Sequence, residues 1–406
     1  MNVSIYLAEK LTAQTGHSFT KRIIRIASIS VAISIAVMLL AIGIVKGFQK
    51  EIKQKVTGFS GHVIIKNLDL NQSGETSLFP GNQPFIPTIK KLSYVVSVYP
   101  FCQKPGILRT SSDAEGVQCK GIAPGYGEVF MNKHIVRGKG LSNNDSTDLN
   151  EILISEVTSR RLNLDTGQRV ELYFIQEGQV RRRKPEICGI FNTGIYEIDK
   201  NCILSDIRMV QRIYTQGYDS ISGYEVFLSS LQHLKKRTRI INEQTGLNLT
   251  TTSVDETHFQ IFQWLSLLDM NVSVIIILMV IVSVVNMITA LLVLIIDRTP
   301  MIGLLKALGS RNNLIRRLFL YNGAKHLFTG LVWGNIIGLG IGWLQNLTGL
   351  ITLNEETYYL SRVPFSITII DALLINCLTF VVCFALLVIP SMYVARIQPV
   401  KAIRFN

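Results

Sequence analysis

Four long apolar runs interrupt an otherwise mixed sequence, at Ile26–Val45, Val272–Ile296, Leu327–Leu347 and Ile367–Met392. Each supplies the roughly 20 apolar residues that a membrane-spanning helix requires. Residues 46–270, between the first and second runs, mix short apolar and polar stretches over a length sufficient for one or two folded domains. The pattern predicts one span, a large insert and three further spans. The segments are 1–25 (N-terminal), 26–45 (first span), 46–270 (insert with stalk helices and two subdomains) and 272–296 (second span). They continue as 297–317 (connecting element), 318–348 (third span), 349–366 (loop), 367–392 (fourth span) and 393–406 (tail). The first run is longer than the roughly 7–15 apolar residues of a signal peptide and has no small-residue cleavage site, so it reads as an uncleaved anchor.

Residues 4–11 read as a short amphipathic helix leading to the membrane. Beyond the first span, Ile44, Phe48, Ile52 and Val56 recur every fourth residue among lysines, which extends the helix outward until Gly58 and Gly61. Ile261, Leu265 and Leu268 have helical spacing on the return side and run into the second span at Val272. Between these stalk helices the pattern is α+β. Strands are predicted at "GHVIIKN", "YVVSVYP", "GILRT", "GVQCKGI", "EILI", "RVELYFI", "VRRRKPEICGIF" and "CILS". Helices fit 155–163, 205–214 and 230–243, each opened by a serine suited to an N-cap. Strand and helix alternate from Cys202 to Val254, which predicts a small sheet backed by two helices, separate from a strand-rich 61–200. The fold class is therefore an integral membrane α-helical protein with four transmembrane helices and a large α+β domain inserted between the first and second.

Charge sets the expected orientation. Residues 1–25 carry +3, 297–325 carry +5 and 394–406 carry +3, whereas the 349–366 loop carries −1. The positive-inside rule puts the three basic segments in the cytoplasm and the insert outside it. The overall +13 follows this membrane topology, and no nucleic-acid partner is expected. Cys102, Cys119, Cys188 and Cys202 lie in the insert, where an oxidising compartment permits disulfides. Cys377 and Cys383 fall in the last span. The sequence has no phosphate-binding G-x-x-x-x-G-K-[ST] loop, no H-E-x-x-H and no G-x-S-x-G, and its six histidines show no metal-ligand spacing. No catalytic, cofactor or metal site is predicted, so energy for any work must come from a partner.

The connecting element "RTPMIGLLKALGSRNNLIRR" carries Arg298, Lys306, Arg311, Arg316 and Arg317 beside a leucine-rich core. Thr299 can cap a helix with Pro300 at its first position, and Gly309 suits the left-handed residue that ends one. Met301, Leu304, Leu305 and Leu308 form an apolar stripe with Lys306 off it, and a second helix can begin at Ser310. Two readings remain: a hairpin resting on lipid headgroups, or a knob that docks a cytoplasmic ATPase. Within the spans, Asn286 can bond across a dimer or inside its own bundle. The ladder Gly330, Gly334, Gly338 and Gly342 predicts close helix approach, against the last span.

"IGLLKALGS" resembles the I-G-x-L-K-A-[LI]-G-[AS] stretch after the second span of FtsX/MacB-type ABC permeases. The tail "PSMYVARIQPVKAIR" is similar to the C-terminal motif of that group, here as Pro390, Ala395, Arg396, Pro399, Val400, Ala402 and Arg404. "SVVNMITALLVLIIDRTPMIGLLKALGS", "EILISEVTSRRLNLDTGQRVEL", "GIFNTGIYEIDKN" and "NEETYYLSRVPF" narrow the resemblance to the lipoprotein-releasing permeases LolC and LolE, over nearly the whole chain.

That resemblance implies a permease subunit that pairs with a second copy or a related chain and binds a separate LolD-like ATPase. The ATPase would hold ATP and Mg, and this chain would bind no cofactor. ATPase coupling is assigned to Met301, Ile302, Leu304, Leu305, Lys306, Leu308 and Gly309. Lipoproteins are the implied substrates, drawn from the membrane lipids and passed to a LolA-like periplasmic carrier by mechanotransmission, in which motion passes along the stalk to the periplasmic domain. The stripes Phe48, Ile52, Val56 and Leu265, Leu268, Val272 are candidates to line a lipid cavity or to pack helices together. A hairpin at Gln176, Val180, Arg181, Arg182, Arg183 and Lys184 is the candidate carrier dock, with a solvated turn as its other reading. The rivals are a MacB-like exporter serving an outer-membrane channel, an FtsX-like regulator of cell-wall hydrolases and a receptor module without transport. The expected location is the bacterial inner membrane, multi-pass, with both termini cytoplasmic.

Overall fold

The computed structural model describes residues 18–68, 77–110, 113–126, 128–142, 150–214 and 219–393. The amphipathic segment 4–11 and the tail motif beyond residue 393 lie outside them. Helix α1 (Ser18–Ser60) leads into strand β1 (Val63–Asn67). After β2 (Phe79–Pro80) and α2 (Ile86–Lys90), β3 (Val95–Arg109) pairs with β4 (Ala114–Ile122). Then come α3 (Glu128–His134), β5 (Ile135–Gly138), β6 (Glu151–Ser155) and α4 (Glu156–Leu162). A second hairpin, β7 (Glu171–Gln176) and β8 (Gln179–Arg183), precedes β9 (Glu186–Phe191). The next elements are α5 (Tyr196–Asp199), β10 (Cys202–Asp206), α6 (Ile207–Gln211), β11 (Ser220–Ile221) and β12 (Gly223–Leu228). Helix α7 (Leu234–Gln244), β13 (Leu249–Ser253) and α8 (Val254–Thr257) lead to the long α9 (Phe259–Asp297). The chain finishes with α10 (Thr299–Ala307), α11 (Asn312–Thr348), α12 (Glu355–Tyr358) and α13 (Ile369–Met392).

Two compact units result. One comprises Met1–Lys50, Trp264–Thr352 and Arg362–Asn406; the other comprises Glu51–Gln263 and Leu353–Ser361. Among the described residues, four helices of the chain are long and apolar enough to cross a membrane: α1, α9, α11 and α13. Their shared core includes Ile35, Leu39, Met287, Ile295, Phe319 and Leu387.

The glycine ladder corrects one expectation. Its partner is the first span, not the last. A side chain on Gly330 would lie 2.8 Å from Val31 Cβ, and one on Gly334 2.6 Å from Ile35 Cβ. On Gly338 it would lie 3.0 Å from the Ala36 backbone, and Gly43 and Gly342 leave room for the Phe365 ring. Helices α11 and α13 share apolar packing at Phe319 and Leu387 and a polar link: Asn335 and Asn376 exchange amide hydrogen bonds of 2.7 and 2.9 Å. Asn286 is satisfied inside its own bundle, donating to the Ser30 hydroxyl. Near Lys50, Lys46 pairs with Asp371 at 2.6 Å, and Gln49 donates to Asp269 at 2.9 Å.

In the second unit one sheet of eleven strands runs β13-β1-β12-β3-β4-β10-β6-β9-β5, with β7 and β8 branching from β3. The β4–β10 and β6–β9 pairs are parallel and the rest antiparallel. Strands from before and after residue 200 share this sheet, so the two-part division predicted there does not follow its topology. "YVVSVYP" and "GILRT" are one strand, β3, despite Pro100 and Pro105. At Pro100 the strand is paired only with β12, and at Pro105 only with β4. A residue without an N–H is tolerated where one side of a strand lacks a partner. Conversely "VRRRKPEICGIF" divides at Lys184–Pro185 into β8 and β9. Of the three expected serine caps, Ser155 accepts from Thr158 N–H at 3.0 Å. The other two helices begin later, at caps Asp206 and His233.

Candidate coupling and substrate-handling sites

Helix α10 has the extent its sequence predicts but a different beginning. Thr299 is inside the helix, and its hydroxyl donates back to Ile295 O at 3.2 Å instead of capping. Arg298 N–H likewise bonds Leu294 O and Ile302 N–H bonds Arg298 O, so α10 follows α9 with almost no break. Pro300 sits in the first turn, where its missing N–H leaves no gap. At the other end Gly309 adopts φ +86°, with Gly309 N–H on Lys306 O and Ser310 N–H on Leu305 O. This pair of bonds is a Schellman closure, which satisfies the last carbonyls and stops the helix sharply. Arg311, not Ser310, caps α11.

The stripe divides into an anchoring face and a presenting face. Ile302 is fully buried in the span core, with Met301 and Leu305 packed against it. Leu304 and Leu308 are 57% and 76% exposed. Lys306 is half-buried and Gly309 exposed.

The six stripe residues assigned to a lipid cavity lie elsewhere than on a surface. Phe48, Ile52, Val56, Leu265 and Val272 are buried within this chain and Leu268 is half-buried. Periodicity identified buried faces, and the chain itself fills them. The apolar surface that α9 leaves exposed includes Leu267, Met270, Val274, Ile277, Leu278 and Ile281.

The predicted hairpin is β7–β8, closed by Glu177 at φ +50° and Gly178 at φ +74°. Two successive left-handed residues make the tight turn that suits the twist of a two-residue hairpin. Leu172 and Phe174 are buried under it, whereas Ile175 and Val180 face each other across the strands and are exposed. Of the four consecutive cations, Arg182 and Lys184 pair with Glu171, and Arg182 also lies 5.9 Å from the Tyr173 ring centre. Arg183 donates to Arg212 O at 3.5 Å and Arg181 is half-buried. Gln176 accepts from the buried Lys104 at 2.6 Å, which fixes the base of the tip. The tip therefore presents an apolar pair flanked by partly neutralised charge.

Among the described residues no three His, Cys, Asp or Glu side chains come together as metal ligands. All six cysteines are free thiols. Burial pushes Cys102 up to about 11 and Cys119 and Cys202 up to about 12. Sequence reading passed over a buried cluster of Lys120, Tyr126 and Glu225 near His258. Nothing local marks it, because Lys120 and Glu225 stand in separate strands, β4 and β12.

Burial, then the Lys120 and Lys66 charges, hold His258 down at about 4; burial and Arg237 do the same to His62. A neutral folded histidine takes up fewer protons than the unfolded one, so stability falls as pH drops from about 6.5 toward 4. Burial raises Asp199 to about 6, which acts oppositely: its contribution is lost as pH rises through that value. In the full-length protein in detergent, the urea midpoint for proteolysis of the insert is expected to fall between pH 7 and 4.5. His258→Gln should reduce that fall, and an undiminished fall in the variant rejects the assignment.

Four membrane-length helices with a large α+β domain between the first two define the architecture of an ABC-type permease subunit. Residues 26–266 match the MacB-like periplasmic core domain family, and 273–399 match the FtsX-like permease C-terminal family. The chain therefore belongs to the FtsX/MacB-like permease superfamily. It is 21% identical over 416 residues to the lipoprotein-releasing system transmembrane protein LolC of Neisseria meningitidis serogroup B, covering 98% of this chain and 97% of that one. Identity to the corresponding LolE of Haemophilus influenzae is 19% over 402 residues, covering 94% of each. A solved periplasmic region of MacB from Actinobacillus actinomycetemcomitans is 17% identical, with a TM-score of 0.33, covering 52% of this chain and 98% of that one.

Proposed function

We propose that this chain is the permease subunit of an ABC transporter that extracts lipoproteins from the bacterial inner membrane and passes them to a periplasmic carrier. The observation that carries the reading is α10, a short helix anchored by Ile302 and closed at Gly309 that presents Leu304 and Leu308. Such a rigid apolar projection suits docking of a separate ATPase, which would hold ATP and Mg. The basic segments favour a cytoplasmic position for α10 and both termini and a periplasmic one for the insert. A second permease subunit, identical or related, would complete the transporter.

The cargo reading rests on likeness to LolC and LolE relatives along almost the whole chain. Withdrawing acyl chains from a bilayer costs about 0.8 kcal/mol per buried CH₂, so the step needs an external energy source. The exposed face of α9 from Leu267 to Ile281 is the better candidate for acyl contact than the buried stripes. The Ile175–Val180 tip with Arg182 and Lys184 is the candidate carrier dock.

Depletion of the protein followed by membrane fractionation tests the cargo. Lipid-modified proteins are expected to accumulate in the inner membrane. Normal delivery to the outer membrane transfers the chain to the exporter or hydrolase-regulator reading.

A further inference from the structure

Helix α1 ends at Ser60 inside the sheet-bearing unit, and the last carbonyls of a helix need partners from elsewhere. Phe59 O receives two, Lys120 Nζ at 3.1 Å and the Tyr126 hydroxyl at 2.6 Å. The ammonium group stands at the negative end of the helix dipole, where a cation is favoured. Its other hydrogens go to Tyr126 Oη at 2.8 Å and to Glu225, at 2.8 and 3.0 Å from the two carboxylate oxygens. Tyr126 also contacts the Glu225 carboxylate. Lys120 and Glu225 are each only 2% exposed. The rings of Phe59 and Tyr126, both 4.8 Å from Nζ, and Phe101 at 5.6 Å surround the charge.

The node extends to the return helix. Ser60 Oγ bonds His258 Nε2 at 2.9 Å, and His258 immediately precedes α9. Gly61 turns the chain at φ +66°, where a side chain would lie 3.2 Å from Glu225 Cβ. The end of α1 and the start of α9 are thus tied to one point on β4 and β12.

A buried ion pair is a poor means of adding stability, since apolar replacements of similar volume are often neutral or better. What it supplies here is direction: three donors on one nitrogen fix the helix end, the tyrosine and the carboxylate together. We propose that Lys120, Glu225 and Tyr126 are positioning residues that make the ends of α1 and α9 move with the sheet, so that displacement of either helix reshapes the substrate-handling domain. This rests on the transporter reading above.

The test is hydrogen exchange on the full transporter in nanodiscs, with and without vanadate-trapped nucleotide, over residues 55–62, 117–122 and 223–228. In the wild type these segments are expected to respond to nucleotide together. Lys120→Met with Glu225→Leu removes both charges and leaves neither unpaired. It should speed exchange at the helix end at least tenfold and abolish the sheet response while ATP hydrolysis continues. A sheet response that survives intact overturns the proposal. If the double variant does not fold, Tyr126→Phe serves instead, with a sheet response reduced about threefold expected and an unchanged one overturning it. A wild type in which nucleotide moves none of the three segments overturns the clamp and the transporter reading together. One that moves all three but releases no lipidated protein overturns the cargo alone.

Discussion

Leu304→Glu combined with Leu308→Glu is expected to strip the proposed ATPase partner from the purified protein while the span bundle stays folded. Both side chains are exposed, so the substitution disturbs no internal packing. Burial of a leucine is worth about 1.5–3 kcal/mol, so losing two at an interface weakens it by about two to four factors of ten. Co-purification in detergent reads this directly, and full ATPase retention rejects the docking surface. Ile302→Glu is the contrasting variant. It buries a carboxylate in the span core and should cost the fold itself. Altering Leu305 and Lys306 is less informative, because Leu305 packs against that core and Lys306 is half-buried.

Gly334→Leu is expected to give the largest loss of stability in the membrane unit. The first added carbon would stand 2.6 Å from Ile35 Cβ and 2.7 Å from Ala32 O, and backbone cannot yield as a side-chain tip can. Overpacking of this kind costs about 1–3 kcal/mol, and a leucine here has no rotamer that escapes the contact. Gly340, six residues on in the same helix, has nothing within 4 Å of an added carbon. Gly340→Ala should therefore raise helix stability by about 0.5–1 kcal/mol. Thermal unfolding in one detergent compares the two. Equal midpoints dismiss the α1–α11 contact as the reason for the ladder.

Features governed by near neighbours were legible in the sequence. Apolar length located the four long helices, and Pro300 and Gly309 marked the ends of α10 to within a residue. Thr299 misled because a threonine before a proline resembles a cap whether or not another helix precedes it. The glycine spacing announced a close approach but contained nothing to name the facing helix, which is α1. Phe48, Ile52 and Val56 had the same defect: period 3.6 reveals a hidden face and is silent on what hides it. The pairing of Lys120 with Glu225 depends on sheet order, which no local pattern encodes.

The sheltered thiols bear on how the protein is made. Cys102, Cys119 and Cys202 belong to β3, β4 and β10, and β10 is synthesised long after the first two strands. If the insert matures outside the cytoplasm, as proposed, the early pair crosses into oxidising surroundings with no covering strand. Closure of the sheet must then outrun cross-linking. Biogenesis becomes a contest between translocation speed and thiol oxidation, settled once β10 lies beside Cys119 and Ser222 reaches Cys102.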